Sequence, residues 1–251
     1  MKLTVLIENT ACAPELSCEH GLSLYLETKR HRILFDMGQS GAFANNAAAL
    51  GVDLSAVDFA VLSHGHYDHG GGIRRFLEIN RHASVYVNQH AFEPHYNASG
   101  KDIGLDTALP RERIRFVGNS LSLAPGITLY TVPFLPTDTA GMATADGQPE
   151  DFRHEQYLLI EENGRRILLS GCSHKGIVAI AEYFQPDILI GGFHFMKTED
   201  ESVLRTAAQR LLALDCTYYT GHCTGEKQFS FLKTIMTSRL HAISTGVVLE
   251  S

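Results

Sequence analysis

The chain has 251 residues, of which 44% are hydrophobic and 20% charged, an ordinary composition for a globular protein. Its formal net charge of −7 and the lack of a Lys/Arg cluster argue against binding along a nucleic-acid backbone. No apolar run approaches the roughly 18 residues of a membrane-spanning helix, so neither nucleic acid nor a membrane is an expected partner.

The first part of the chain alternates apolar strands with short helices. Strands are predicted at 2–8, 21–27, 32–35, 59–62 and 83–87, and helices at 42–50 and 73–79. The first nine residues faintly resemble a signal peptide, but Glu8 and Asn9 end the apolar stretch too early. The five cysteines show no disulfide-framework spacing, and without a secretion signal they predict a reduced, cytoplasmic protein.

The strand at 59–62 runs into a segment, 63–72, with the sequence SHGHYDHGGG. This segment holds His64, His66, Asp68 and His69 within six positions. Imidazole and carboxylate ligands together suit zinc, iron or manganese, so the segment is predicted to bind metal. Residues two apart in an extended loop point the same way, which lets His64 and His66 share one ion. Asp68 and His69 continue the turn and can reach a second ion.

Two stretches, 88–111 and 134–154, lack a clear helical or strand period. Long loops in a compact protein tend to be lids or binding loops, so both are predicted to cover a substrate. Variable surface without a function is the alternative, because loops generally vary.

The second part of the chain resumes the alternation. A hairpin is predicted with strands at 156–161 and 165–169 around an Asn-Gly turn, followed by strands at 187–190, 216–220 and 247–249. Helices are predicted at 177–184, 199–214 and 226–235.

Four short apolar strands each end in a small-residue turn that bears a histidine: His64, His174, His194 and His222. Ligand sites gather at the strand ends of α/β sheets. Two strand-rich units flanked by helices predict an α/β fold, a four-layer αββα sandwich formed by 1–251 as one domain. The metals are expected between the sheet edges.

These motifs resemble those of a known family. The pattern His64-x-His66-x-Asp68-His69 after a strand resembles the signature of the metallo-β-lactamase superfamily, whose fold is the αββα sandwich. Gly171-Cys172 stands where the superfamily usually has Gly-Asp, and His222 where its last ligand histidine occurs. Segments 20–23, 34–39, 171–174, 191–194 and 222–225 further resemble a subgroup whose archaeal members are named 7,8-dihydropterin-6-yl-methyl-4-(β-D-ribofuranosyl)aminobenzene 5′-phosphate synthases. The resemblance covers nearly the whole chain and is weakest between 88 and 152.

The resemblance implies a site with two divalent metal ions. His222 would join Asp68 and His69 at the second ion, and Cys172 would either bridge the two ions or stay a nearby unbound thiol. A thiolate favours zinc over manganese, with iron and magnesium as further alternatives. The third ligand of the first ion is His174 or His154; the subgroup pattern favours His174 and leaves His154 beside the cleft.

Other roles are predicted for residues near the metals. Asp36 is expected to orient a ligand histidine by hydrogen bonding, and Asp68 to be catalytic. His194 is expected to face the substrate. Lys175 precedes a helix N-terminus, which favours anions, so a phosphate or diphosphate is predicted to bind there, with a solvated lysine as the alternative. No role is predicted for four other histidines: His20, His31, His82 and His241.

Three functions fit this pattern, the first two of them acting on a small and anionic substrate. In a transferase like the subgroup, the metals would polarise the diphosphate of a hydroxymethyl-dihydropterin, and an aryl amine or aryl carbon would attack the methylene. A hydrolase would instead cleave a phosphodiester, ester or lactone. The third function, a non-catalytic metal-containing binding or signalling protein, is disfavoured because a purely structural site needs no open coordination position.

Overall fold

The computed structural model of the protein describes residues 1–132 and 142–250. The strands are β1 (Lys2–Ile7), β2 (Ser23–Glu27), β3 (Arg32–Phe35), β4 (Phe59–Val61), β5 (Ser84–Asn88), β6 (His95–Tyr96), β7 (Ile114–Val117), β8 (Leu121–Ala124), β9 (Ile127–Tyr130), β10 (Ala143–Thr144), β11 (Tyr157–Glu162), β12 (Arg165–Leu169), β13 (Ile188–Ile190), β14 (Thr217–Thr220), β15 (Leu240–Ala242) and β16 (Val248–Glu250). The helices are α1 (Ala42–Ala49), α2 (Tyr67–Gly70), α3 (Ile73–Ile79), α4 (Ile177–Phe184), α5 (Glu201–Leu212) and α6 (Glu226–Met236). Every predicted element is present, with bounds that agree within two residues. Within the described ranges, no helix combines the length and apolar character needed to cross a membrane.

The strands form two seven-stranded sheets and a two-stranded ribbon of β6 and β10. The first sheet has the order β16-β1-β2-β3-β4-β5-β7, and the second has the order β15-β14-β13-β12-β11-β9-β8. Strands β3, β4, β5 and β7 are mutually parallel, as are β12, β13, β14 and β15. The carboxyl ends of the parallel strands therefore lie at one end of each sheet, and the histidine-bearing turns follow them there.

The alternation of side chains along each strand produces the layers. In β2, Leu24 and Leu26 enter the core between the sheets, where they join Leu158 and Ile167 of the second sheet. Tyr25 lies on the opposite face with residues of α1 and α3. The outer face of the second sheet packs in the same way against α4, α5 and α6. The order of layers is helix, sheet, sheet, helix, and the predicted αββα sandwich is confirmed.

The sequence pattern missed strands β7, β8 and β9 in 114–130. Strands β7 and β8 are edge strands, with two exposed residues each. An edge strand shields neither face fully, so its sequence lacks the continuous apolar run of β4 or β13. The apolar run is therefore weaker in β7 and β8 than in the inner strands β4 and β13.

Candidate metal centre

The predicted metal-binding side chains all lie at the carboxyl ends of parallel strands. Asp36 follows β3, His64 to His69 follow β4, Cys172 and His174 follow β12, and His222 follows β14. Each of these residues is buried. Three non-glycine residues in these turns have left-handed backbones: Asp36, Ser173 and His222, with φ of 58°, 60° and 50°. Such conformations cost energy and are concentrated at functional sites.

One cluster consists of Asp68, His69, Cys172 and His222. His69 Nε2 lies 3.1 Å from His222 Nε2 and 3.2 Å from Cys172 Sγ. Asp68 Oδ2 lies 3.3 Å from His222 Nε2 and 3.7 Å from His69 Nε2. Tetrahedral zinc with bonds of about 2.0–2.3 Å separates its ligand atoms by about 3.3–3.8 Å. The measured separations are close to that range, so the donor set fits one tetrahedral cation.

Hydrogen bonds on the far sides of the rings leave lone pairs facing this centre. His69 Nδ1 lies 2.6 Å from Asp36 Oδ2, so it carries a proton. His222 Nδ1 lies 3.0 Å from the side-chain oxygen of Asn9 and carries a proton as well. Both Nε2 atoms of the neutral rings are then acceptors that face one another, which is unfavourable unless a cation or a proton lies between them. The arrangement fits a metal site on the chemistry of its donors.

A second cluster consists of His64, Cys172 and His174. Ser63 donates its hydroxyl to Asp36, so its oxygen accepts from His64 Nδ1 at 2.8 Å. His64 Nε2 consequently presents a lone pair, 3.3 Å from His174 Nε2. Cys172 belongs to both clusters. This placement is the one that a bridging ligand requires.

His66, which was predicted to share an ion with His64, lies in a different group of possible ligand atoms. Its ring lies 4.5 Å from that of His64, measured between centroids, yet its ligand atom clusters with those of His95 and His154. All three of these histidines are buried. The structure therefore places His174, and not His154, beside His64 and Cys172.

In the cluster of Asp68, His69, Cys172 and His222, neighbouring charges of opposite sign shift the pKa values of the side chains. Burial alone would raise the pKa of Asp68, but the neighbouring His69 and His222 outweigh burial and hold that pKa below its usual range. Burial would lower the pKa of His69, but Asp36 and Asp68 outweigh burial and raise it to about 9. The surroundings of His69 Nε2 thus favour positive charge, which a divalent cation supplies.

In the cluster of His64, Cys172 and His174, burial favours the uncharged form of each side chain. Burial, and then the neighbouring imidazoles, lowers the pKa of both His64 and His174. Burial raises the pKa of the Cys172 thiol. Neutral imidazoles are ready ligands, whereas the thiol becomes a thiolate only when a cation binds it.

A cavity of about 420 Å³ opens onto both clusters. Asp68, Cys172, His174 and His222 lie on its wall, as does the predicted substrate-facing residue His194. The ring of His194 lies 4.3 Å from that of His174, measured between centroids. The volume falls within the range of small-molecule sites. The metal-binding side chains are thus accessible to a small substrate.

Lys175 and His154, both predicted to contact substrate, are not among the described residues that line this cavity. The Lys175 ammonium donates to the Asp151 carbonyl oxygen at 2.7 Å. Its backbone amide, at the predicted anion site, donates to the buried Glu155 carboxylate, which also accepts from the amide of His174. The ammonium and the amide of Lys175 are therefore both bonded to acceptors of the protein itself. Among the described residues of the cavity wall, the lysine is Lys197.

The two predicted lid stretches contribute to the cavity in part. From 88–111, Asn97 and Ile103 lie on the wall, and the Ile103 carbonyl accepts from the Tyr67 amide of the metal-binding segment. The ribbon partner β10 belongs to the second stretch, as does Met142 on the wall. Residues 134–141 of that stretch lie outside the described residues. Coverage of a substrate stays a prediction.

Sequence reasoning missed several residues around the metals. His20, to which no role was assigned, lines the cavity with its Nε2 3.4 Å from Asp68 Oδ2. Glu8 accepts the backbone amide of His222, and Asn9 its ring. The signal available was a polar pair directly after a buried strand, the same pattern that marks the later strand ends. Glu155 is one position from His154 but offered no separate signal.

Comparisons with known proteins agree with this geometry. The sequence model of the metallo-beta-lactamase superfamily matches residues 16–222. An uncharacterised protein of Methanocaldococcus jannaschii is 26% identical over 248 residues, covering 93% of this chain and 94% of the relative. The 7,8-dihydropterin-6-methyl-4-(β-D-ribofuranosyl)-aminobenzene-5′-phosphate synthase of the same organism is 27% identical over 242 residues, covering 83% of this chain and 82% of the synthase.

Among solved structures, a metal-dependent hydrolase of the β-lactamase superfamily superposes with a TM-score of 0.83 at 25% identity. The superposition covers 100% of this chain and 99% of the hydrolase. Sequence match, fold and the positions of the strand-end ligands all lead to one assignment: the chain belongs to the metallo-β-lactamase superfamily.

Proposed function

We propose that the protein is a dinuclear metal-dependent enzyme that acts on a phosphate- or diphosphate-bearing small molecule. The observation that carries this proposal is the pair of donor clusters that share Cys172 at the wall of one cavity. Two ions that share a ligand lie close enough to act on one substrate. The ligands would be His64, Cys172 and His174 for one ion, with His66 beside them, and Asp68, His69, Cys172 and His222 for the other.

The proposed chemistry is a group transfer like that of the synthase to which the chain is similar. A bound divalent ion would polarise the phosphate oxygens of a diphosphate leaving group. The bond from a methylene carbon to the diphosphate oxygen breaks, and a bond from that carbon to an aryl amine or aryl carbon forms. The attacking group loses a proton, which we assign to the Asp68 carboxylate on the cavity wall. The neighbouring His69 and His222 hold the pKa of Asp68 below its usual range, so the carboxylate is ionised and presents only acceptor oxygens.

The cavity wall supports an anionic substrate with an apolar part. Lys197 and Thr198 offer donors to phosphate oxygens, whereas Met142, Met196 and Ile103 offer apolar surface. The two kinds of surface lie on one wall, so a ligand can present its phosphate and its ring system to separate regions. Lys197 thus takes the role predicted for Lys175.

A metal-dependent hydrolase is the second candidate. The similarity to a solved metal-dependent hydrolase of the superfamily, at a TM-score of 0.83, favours it. The same two clusters would then serve attack on a phosphodiester, ester or lactone.

The test is an assay of zinc-loaded and manganese-loaded protein against a hydroxymethyl-dihydropterin diphosphate, with and without an aryl amine. We expect diphosphate release that requires the amine and stops on chelation. Release of diphosphate without the amine, or hydrolysis of a phosphodiester or lactone that stops on chelation, would support the hydrolase instead.

Two variants test whether turnover requires the proposed ligands. His222→Ala removes one donor of the cluster that would hold the second ion and should abolish turnover, because both ions would act on the same substrate. His82→Ala changes an exposed histidine outside the cavity and serves as the matched control. Activity in His222→Ala equal to that of the control would contradict the dinuclear site.

A further inference from the structure

His66, which lines the cavity, forms a group with two further imidazoles, His95 and His154, that neither donor cluster includes. One ring nitrogen of each lies within 4.8 Å of those of the other two. The Nε2 of each is buried and has no hydrogen-bond partner within 1–132 and 142–250. A buried polar atom without a partner costs free energy, so three of them at one point indicate a bound species.

The geometry alone would admit a third cation, but the protons of His154 argue against it. The Gly65 amide donates to His154 Nδ1 at 2.8 Å, so that nitrogen carries a lone pair. A neutral imidazole with its lone pair on Nδ1 carries its proton on Nε2. The Nε2 of His154 is therefore a donor; to bind a cation through Nε2 the ring would have to carry its proton on Nδ1, where that proton would face the Gly65 amide.

His95 has the opposite tautomer. Its Nδ1 lies 2.8 Å from Glu150 Oε2, with both side chains buried, so Nδ1 donates to the carboxylate. The Nε2 of a neutral His95 is then an acceptor. Glu150 also accepts the backbone amide of Phe152, which fixes the carboxylate in place.

His66 supplies the third contact. It lines the cavity, and its buried unpartnered nitrogen is Nε2, so Nδ1 is the nitrogen left to face the metals. If Nδ1 binds the ion beside which the proposed function puts His66, Nε2 carries the proton and is a donor. The group thus offers two donors, on His66 and His154, and one acceptor, on His95.

We propose that these three imidazoles bind one buried water molecule, which links the metal-facing His66 to the Glu150 carboxylate. Water accepts two hydrogen bonds and donates to a third partner, which matches the two donors and the one acceptor. Because these ring nitrogens all lie within 4.8 Å of one another, a single oxygen atom can lie about 2.8 Å from all three, an ordinary hydrogen-bond length. The water holds His66 in the tautomer that leaves Nδ1 free for metal, so His95 and Glu150 are positioning residues.

The test reads the tautomers directly, by nitrogen–proton NMR of histidine-labelled protein, metal-free and zinc-loaded. We expect His154 to carry its proton on Nε2 in both forms, and zinc-loaded His66 to show a slowly exchanging Nε2–H. His95→Leu removes the acceptor; the His66 proton should then exchange rapidly, and zinc affinity should fall about ten- to hundredfold. His95→Gln keeps an acceptor oxygen and should restore most of both, with His82→Leu as the control.

Three results would overturn the proposal: a third equivalent of zinc that disappears in His95→Leu, a proton on Nδ1 of His154, or an unchanged His66 signal in His95→Leu. The wild-type spectrum answers the second point even where a variant fails to fold. Only the tautomer of His66 in this inference rests on the proposed function. Protein that binds no zinc would refute the dinuclear site, while the metal-free His154 spectrum would still test the water site.

Discussion

Asp36→Asn changes the proton arrangement of the site with little change in shape. Asp36 Oδ1 accepts from the Ser63 amide at 2.7 Å, and Oδ2 accepts from the Ser63 hydroxyl and from His69 Nδ1, at 2.8 and 2.6 Å. Asn tolerates the left-handed backbone that Asp36 adopts, at φ 58°, so the substitution adds no backbone strain. Its effect should therefore come from hydrogen bonding and charge.

An asparagine amide cannot satisfy these donors in either orientation. With its NH₂ in place of Oδ2 it faces His69 Nδ1–H, and with its NH₂ in place of Oδ1 it faces the Ser63 amide. The lost charge-assisted bond costs about 1.5–3 kcal/mol of unfolding free energy. His69 can relieve the conflict by moving its proton to Nε2, which removes the lone pair that faces Cys172 and His222. Loss of such an orienting partner should weaken metal binding about ten- to hundredfold, or about 1.4–2.8 kcal/mol.

The assay is a zinc titration against a competing chelator, with urea unfolding of the metal-free protein alongside. We expect one weakened equivalent of zinc and a lower unfolding free energy. Asp58→Asn is the matched control, because Asp58 is exposed and its carboxylate accepts a backbone amide of β3, from Arg32. Two equivalents of zinc bound by Asp36→Asn with wild-type affinity would refute the reasoning.

Substitutions at three further positions test separate parts of the site. Cys172→Ala should weaken both ions because both clusters share this residue, whereas Cys172→Asp should keep two ions and shift the preference from zinc toward manganese; a competition titration that shows one ion unaffected in Cys172→Ala would exclude a bridge. Glu155→Gln removes a buried acceptor of the His174 and Lys175 amides and should lower the unfolding free energy by about 1–3 kcal/mol in urea; an unchanged midpoint would contradict the assigned bonds. Gly65→Ala places a Cβ 2.2 Å from the Ala91 carbonyl oxygen, and overpacking against backbone should cost about 1–3 kcal/mol in thermal unfolding; a wild-type melting temperature would show that the backbone yields there.

The fold and the ligand turns could be predicted because their signals are local. Strand β4 is buried on both faces, so its apolar run and the following histidines stand next to each other in the sequence. The same holds for Cys172 after β12 and His222 after β14. Parallel pairing then places these turns at the sheet edges, which follows from the strand order without knowledge of any side-chain contact.

What could not be predicted depends on partners that are distant in sequence. Asn9 and His222 are 213 positions apart, and their contact exists only because the first sheet packs on the second. Lys175 appeared to be an anion-binding residue because a helix follows it, yet tertiary packing buries it against Asp151. His95 lies in a segment without a period, and only the fold brings it to His154, at 3.9 Å between ring centroids.

The donor clusters combine residues from both sheets. Metal binding therefore depends on how much of the chain has been synthesised and folded, and the stability of the folded chain depends on the supply of metal. The chain is synthesised from its amino terminus, so Asp68 and His69 exist long before Cys172 and His222. A cation can be held by the complete set only after β14 has been made and the sheets have associated. Binding confined to the native state adds about 2.7 kcal/mol of stability when free metal is a hundred times its dissociation constant. Under metal starvation the protein should therefore be degraded faster, so its abundance would follow the supply of metal.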